Sequence, residues 1–172
     1  FLQKYFKDIK NLIDLNSDDI INQLILIKKI LLLAKRKRKK VVVFGNGGSS
    51  AIASHFSVDL TKNAKVRCVN FNEPDLLTCF SNDYGYENVF KEAIKNYGDK
   101  GDILIAISSS GKSKNIINGC LEAKKRKFSK IITLTGHSKN NPVKKIGNIN
   151  LWINSKAYNH IENIHQFWLL AL

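Results

Sequence analysis

The run Ser108-Ser109-Ser110-Gly111-Lys112-Ser113 puts four hydroxyls into six residues, after an apolar stretch at 103–107 and before a helical pattern. Hydroxyls and free backbone amides at a helix start form a cradle for a phosphate dianion. A single hydroxyl would suffice as a helix cap, so four of them point to a ligand. A second run, Gly45-Asn46-Gly47-Gly48-Ser49-Ser50, follows Val41-Val42-Val43-Phe44 in the same way. Its glycines let the backbone approach a ligand closely, and Asn46 can donate to or accept from a sugar hydroxyl. A tight strand-to-helix turn with no ligand would also use these residues. The run has neither the GxxxxGK[ST] nor the GxGxxG pattern, so a nucleotide is not favoured. Two such loops in one unit suggest a single phosphorylated ligand held between two strand ends.

Acid–base chemistry has candidates too. His55 and Asp59 lie four residues apart, as do Glu162 and Gln166, so each pair shares one face of a helix. A carboxylate so placed can take a proton from carbon, and an acid or a metal can stabilise the negative charge that then develops on oxygen. One histidine, two carboxylates and an amide oxygen make a candidate site for zinc or another divalent ion. The plainer alternatives are a surface pair for His55 and Asp59, a capping acid for Glu162 and a packed side chain for His165.

The elements that position these residues follow from periodicity. Residues 1–15 carry Phe1, Leu2, Tyr5, Phe6, Ile9, Leu12 and Ile13 at helical spacing. Ser17-Asp18-Asp19 offers an N-cap and an acidic first turn for a second helix over 18–34. Apolar residues cover much of that helix, so oligomer formation is expected to bury its second side. Strands then read at 41–44, near 66–69, and at 103–107, 131–134 and 149–153. Helices read at about 50–63, 74–80, 89–97, 114–127 and from 158, with 82–86 as a turn cluster. Such alternation implies an α/β three-layer sandwich: a doubly wound, flavodoxin-like parallel sheet flanked by helices, with two leading helices. Ligands in such sheets bind beyond the carboxyl ends of the strands. Residues 1–172 read as one domain, with 1–34 for oligomer packing and 41–172 as the α/β core; both ends read as incomplete.

A net charge of +14 would suit a nucleic-acid partner. The cations cluster at 35–40 and 124–127, however, each at a helix C-terminus before a strand, where they complement the macrodipole. A field attracting phosphorylated metabolites is expected instead of nucleic-acid binding. Cys68, Cys79 and Cys120 have no metal-finger spacing and read as free thiols in a reducing cytoplasm. No apolar run is long enough to span a bilayer.

The chain resembles a sugar isomerase (SIS) domain, and within that class the bacterial phosphoheptose isomerases. The resemblance is carried by Gly45-Asn46-Gly47-Gly48-Ser49, His55-Phe56 with Leu60-Thr61, Ser81-Asn82-Asp83-Tyr84-Gly85 and Gly101-Asp102-Ile103-Leu104. It continues through Ile107-Ser108-Ser109-Ser110-Gly111-Lys112-Ser113, Ile132-Thr133-Leu134-Thr135-Gly136 and Ile161-Glu162-Asn163-Ile164-His165. It implies an enzyme that interconverts sedoheptulose 7-phosphate and D-glycero-D-manno-heptose 7-phosphate, supplying heptose for lipopolysaccharide or capsule, and working as a homotetramer. Ser108, Ser109, Ser110 and Ser113 would hold the phosphate. Asn46, Gly47 and Gly48 would hold the sugar, Ser49 would be a further substrate- or phosphate-binding residue, and Asn82 and Asp83 would line the same pocket. His55 matches a metal-binding histidine of that family. Asp59 stands at the position of a glutamate that is base and metal ligand, and Glu162 at that of a glutamine ligand. Leu170 falls where the family has a histidine acting as acid and ligand, and His165 lies about half a turn away from it. The resulting expectation is an altered site, with Asp59, Glu162 and His165 as candidate catalytic residues and His55, Asp59 and Glu162 as candidate metal ligands. The alternative is a non-catalytic sugar-phosphate-binding regulator of the initiator-associating type.

Overall fold

The structure is a computed structural model describing residues 1–14 and 17–172, without the side chain of Ser17. The cap expected from Ser17 lies outside the described residues. Two helices lead, α1 (Leu2–Asp14) and α2 (Ser17–Arg36). An alternation follows: β1 (Val41–Phe44), α3 (Gly48–Lys62), β2 (Cys68–Val69), α4 (Pro74–Tyr84), α5 (Val89–Tyr97), β3 (Ile103–Ser108) and α6 (Lys114–Lys125). It ends with β4 (Lys130–Thr135), α7 (Pro142–Ile146), β5 (Ile149–Trp152) and α8 (Tyr158–Leu170). The five strands are all parallel, in the order β2-β1-β3-β4-β5. This is the expected doubly wound sheet, whose order reverses beside β1 and β3.

Strand alternation sends successive side chains to opposite faces, and each face is covered. Val41, Val43, Ile103, Ile105 and Ile107 pack with Ile27, Leu31, Ile52, Phe56, Ile161 and Ile164, beneath α2, α3 and α8. Val42, Phe44, Leu104 and Ala106 pack with Phe90, Ile94, Ile116 and Val143, beneath α5, α6 and α7. At the N-terminal edge, Lys40 Nζ lies 2.6 Å from both Asp99 and the buried Asp102, tying the start of β1 to that of β3. Outside the core, Leu2, Phe6, Ile21, Ile25, Leu26 and Leu33 remain exposed on α1 and α2.

One local expectation is corrected and one element is added. Residues 82–84 are not a turn but the last turn of α4. Pro74 starts that helix, and the chain breaks only at Gly85, whose φ of 79° is the left-handed conformation glycine adopts without penalty. The short α7 has no counterpart in the sequence pattern. Pro142 opens it and Asn141 caps it, accepting from Lys144 N at 2.9 Å. The cysteines are free; burial pushes the Cys68 and Cys120 thiols up to about 12, which leaves them protonated and unreactive. No helix among the described residues is long and apolar enough to cross a membrane.

Candidate active site

The carboxyl ends of β1 and β3 open into a hollow of about 100 Å³ lined by Asn46, Ser49, Ser108, Ser109, Ser110, Ser113, Tyr158 and Glu162, with Ile107 at its base. The serine run turns sharply after β3: Gly111 N donates to Ser108 O, and Gly111 has a φ of 65°. A Cβ at Gly111 would lie 2.8 Å from Asn141 Cβ, so the turn depends on glycine for space as well as for conformation. Ser110 Oγ accepts from Lys112 N at 3.2 Å. The other three hydroxyls are not spent on the fold. Ser108 Oγ and Ser109 Oγ are buried with no hydrogen-bond partner among the described residues, and Ser113, at the N-cap of α6, makes no side-chain cap bond. Buried hydroxyls without partners cost stability, and these border a hollow at the N-terminus of α6, where the helix favours an anion.

Glu162 enters the hollow from α8. Its carboxylate lies directly over Gly48, where a Cβ would come within 2.6 Å of Glu162 Cδ. Gly48 is therefore needed for this approach. Gly47, at the N-cap of α3 with a φ of 55°, turns the chain into that helix. Asn46 is held from two sides. Its Oδ1 accepts from Tyr86 Oη at 2.9 Å and from Asn115 Nδ2 at 2.8 Å, while its Nδ2 donates to Asn115 Oδ1 at 2.9 Å. Asn82 and Asp83 lie exposed on α4, bonded to each other at 3.0 Å, and do not line the hollow.

From Glu162 a line of polar side chains runs away from the hollow along the α3–α8 seam. Gln166 Nε2 reaches His55 Nδ1 at 3.4 Å, and His55 Nε2 is 3.3 Å from Asp59 Oδ2. Beyond them Asp59 borders a second hollow with Phe56, Leu60, Leu169 and Leu170. Among the described residues, no three His, Cys, Asp or Glu side chains converge as metal ligands. The expected set of His55, Asp59 and Glu162 is thus not assembled, because Glu162 sits a helical turn before Gln166 and is committed to Gly48. Leu170 adds an apolar group where another donor would be required. The residues present do not fit a zinc centre.

His165 is fully buried and does not line the serine hollow. Its Nε2–H donates to Thr135 O at 3.3 Å, while Nδ1 is buried without a partner among the described residues. Burial lowers its pKa from 6.5 to about 4, against a smaller opposing effect of the Thr135 carbonyl. A histidine that is neutral when folded binds fewer protons than its unfolded counterpart. Its contribution is therefore complete above about pH 6.5 and declines as the pH falls toward 4, by roughly 3 kcal/mol in all. Urea titrations across this range should show a steep acid limb that flattens in His165→Gln; equal slopes would place the linkage elsewhere.

Tyr158, Asn115 and Tyr86 belong to the site although the sequence reading missed them. The His137 ring packs against Tyr158 at a tilt of 59°, with centroids 4.9 Å apart, and so supports one wall. Tyr158 could have been found, since it opens the helix that carries Glu162 one turn later. Nothing in the sequence pairs Asn46 with Asn115.

Comparison with known proteins points the same way. The sequence model of the SIS domain family matches residues 4–136. A phosphoheptose isomerase from Histophilus somni is 42% identical over 89 residues, which cover 49% of this chain and 45% of that protein. One from Buchnera aphidicola is 36% identical over 124 residues, covering 66% of this chain and 63% of that protein. The matched segments thus span less than two thirds of these curated relatives. Among solved structures, a phosphoheptose isomerase from Neisseria gonorrhoeae superposes with a TM-score of 0.92 at 25% identity, over 99% of this chain and 93% of that one.

Proposed function

Because this chain belongs to the SIS domain family, we propose that it is a phosphosugar isomerase that interconverts ketose and aldose forms. We infer that its substrate is sedoheptulose 7-phosphate and its product D-glycero-D-manno-heptose 7-phosphate, a precursor for surface polysaccharide. The single observation that carries the reading is Glu162: a carboxylate faces the same hollow as the unspent serine hydroxyls. A pure binding module for an anionic sugar would gain nothing from a negative group there.

In this reading Ser108, Ser109 and Ser113 bind the phosphate, with the N-terminus of α6 supplying further positive potential. Anchoring the phosphate fixes where the sugar chain lies, which removes orientational freedom before reaction. Glu162 takes the proton from the carbon beside the carbonyl and returns it to the neighbouring carbon. Charge builds on the enediolate oxygens, and the Tyr158 hydroxyl and Asn46 amide are the donors placed to stabilise it. Asn115 and Tyr86 hold Asn46 in place. The exposed apolar residues of α1 and α2 would be buried between subunits of a homotetramer. Incubation with sedoheptulose 7-phosphate in D2O should give the aldose with deuterium at the carbon that receives the proton. Tight binding without conversion or exchange would favour the regulatory alternative.

A further inference from the structure

A second anion site lies at the opposite end of the sheet. Lys35 in the last turn of α2, Arg38 and Lys39 before β1, and Lys65 and Arg67 before β2 together line a hollow of about 290 Å³. These five cations face one space at the N-terminal edges of β1 and β2, and no carboxylate lines it. The nearby Asp99 is already bound to Lys40 at 2.6 Å. Lys35 Nζ donates to Ala64 O at 2.8 Å, and the Arg67 guanidinium donates to Arg38 O, so two of the cations are fixed at the wall. Among the described residues the side chains of Lys39 and Lys65 make neither a hydrogen bond nor an ion pair, although Lys39 and Arg67 lie close enough to Asp99 to help lower its pKa. Arg38 and Lys65 both have positive φ, 54° and 56°, at positions glycine or asparagine would fill more cheaply.

Macrodipole complementarity accounts for cations near the ends of α2 and α3. It does not account for five converging on one concavity, where like charges repel unless an anion sits between them. The space is larger than the serine hollow, so it suits a chain of phosphates better than a single one. We propose that this basic hollow binds an oligophosphate chain, free or carried on a nucleotide, independently of the sugar-phosphate site.

The test is calorimetry on the full chain at low salt with inorganic triphosphate, ATP, inorganic monophosphate and a short single-stranded RNA. Triphosphate is expected to bind one per chain, about tenfold or more tighter than monophosphate, and to weaken steeply with added salt. Lys39→Gln/Lys65→Gln should weaken it about tenfold. Lys124→Gln/Lys125→Gln at the other basic cluster, and Ser108→Ala/Ser109→Ala, should leave it unchanged. ATP binding as well as triphosphate would identify a nucleotide as a source; binding of triphosphate alone would identify the free chain. Equal losses in the two lysine variants, no loss in the first, or RNA binding tighter than triphosphate through the same lysines would each overturn the proposal.

Discussion

Glu162→Gln should lower kcat by about a thousandfold while leaving KM nearly unchanged, because it removes the proton acceptor and keeps the shape. The amide fits over Gly48 where the carboxylate now lies, so the hollow and its serine hydroxyls stay in place. Asp59→Asn is the informative contrast. Asp59 shares its face of α3 with His55 and borders the apolar hollow, not the serine hollow. Its loss should cost no more than about tenfold, through the orientation of His55 and Gln166. Steady-state kinetics on both variants, with folding checked by circular dichroism, decide between them. The reverse order of effects would move the base to Asp59 and leave Glu162 as a positioning group.

What could be read from the sequence followed the reach of each signal. Apolar runs such as 103–107 and 131–134 identify strands buried on both faces, and the alternation with helices leaves little choice of topology. The serine run could be read because its chemistry is local: four hydroxyls and a glycine within one turn. Glu162 over Gly48 could not, since 114 positions of sequence separate two residues whose contact depends on how α8 crosses α3. The same limit explains the metal expectation. The i, i+4 spacing correctly places His55 beside Asp59 and Glu162 on the face of Gln166, but says nothing of the axial offset between the helices. That offset brings Gln166, not Glu162, to His55. His165 shows the converse. A titratable side chain in a motif looks functional until its burial and its bond to Thr135 O are known.

Ser108→Ala and Ser109→Ala should each make the ligand-free protein more stable and the sugar-phosphate complex weaker. Both hydroxyls are buried without a partner, so each now carries a desolvation cost that alanine removes. The expected gain is roughly 1 kcal/mol per site, or about 2–4 °C in Tm for a chain of this size. Bound phosphate converts the same hydroxyls into donors to an anion, where a hydrogen bond contributes about 1.5–3 kcal/mol. Each substitution should therefore weaken binding of a sugar monophosphate by roughly 10- to 100-fold. Thermal melts with and without ligand measure both terms, and the ligand-induced rise in Tm should shrink as the starting Tm grows. Opposite signs in the two measurements are what separate a ligand cradle from a capping run. If the hydroxyls served only to cap α6, both melts would fall together.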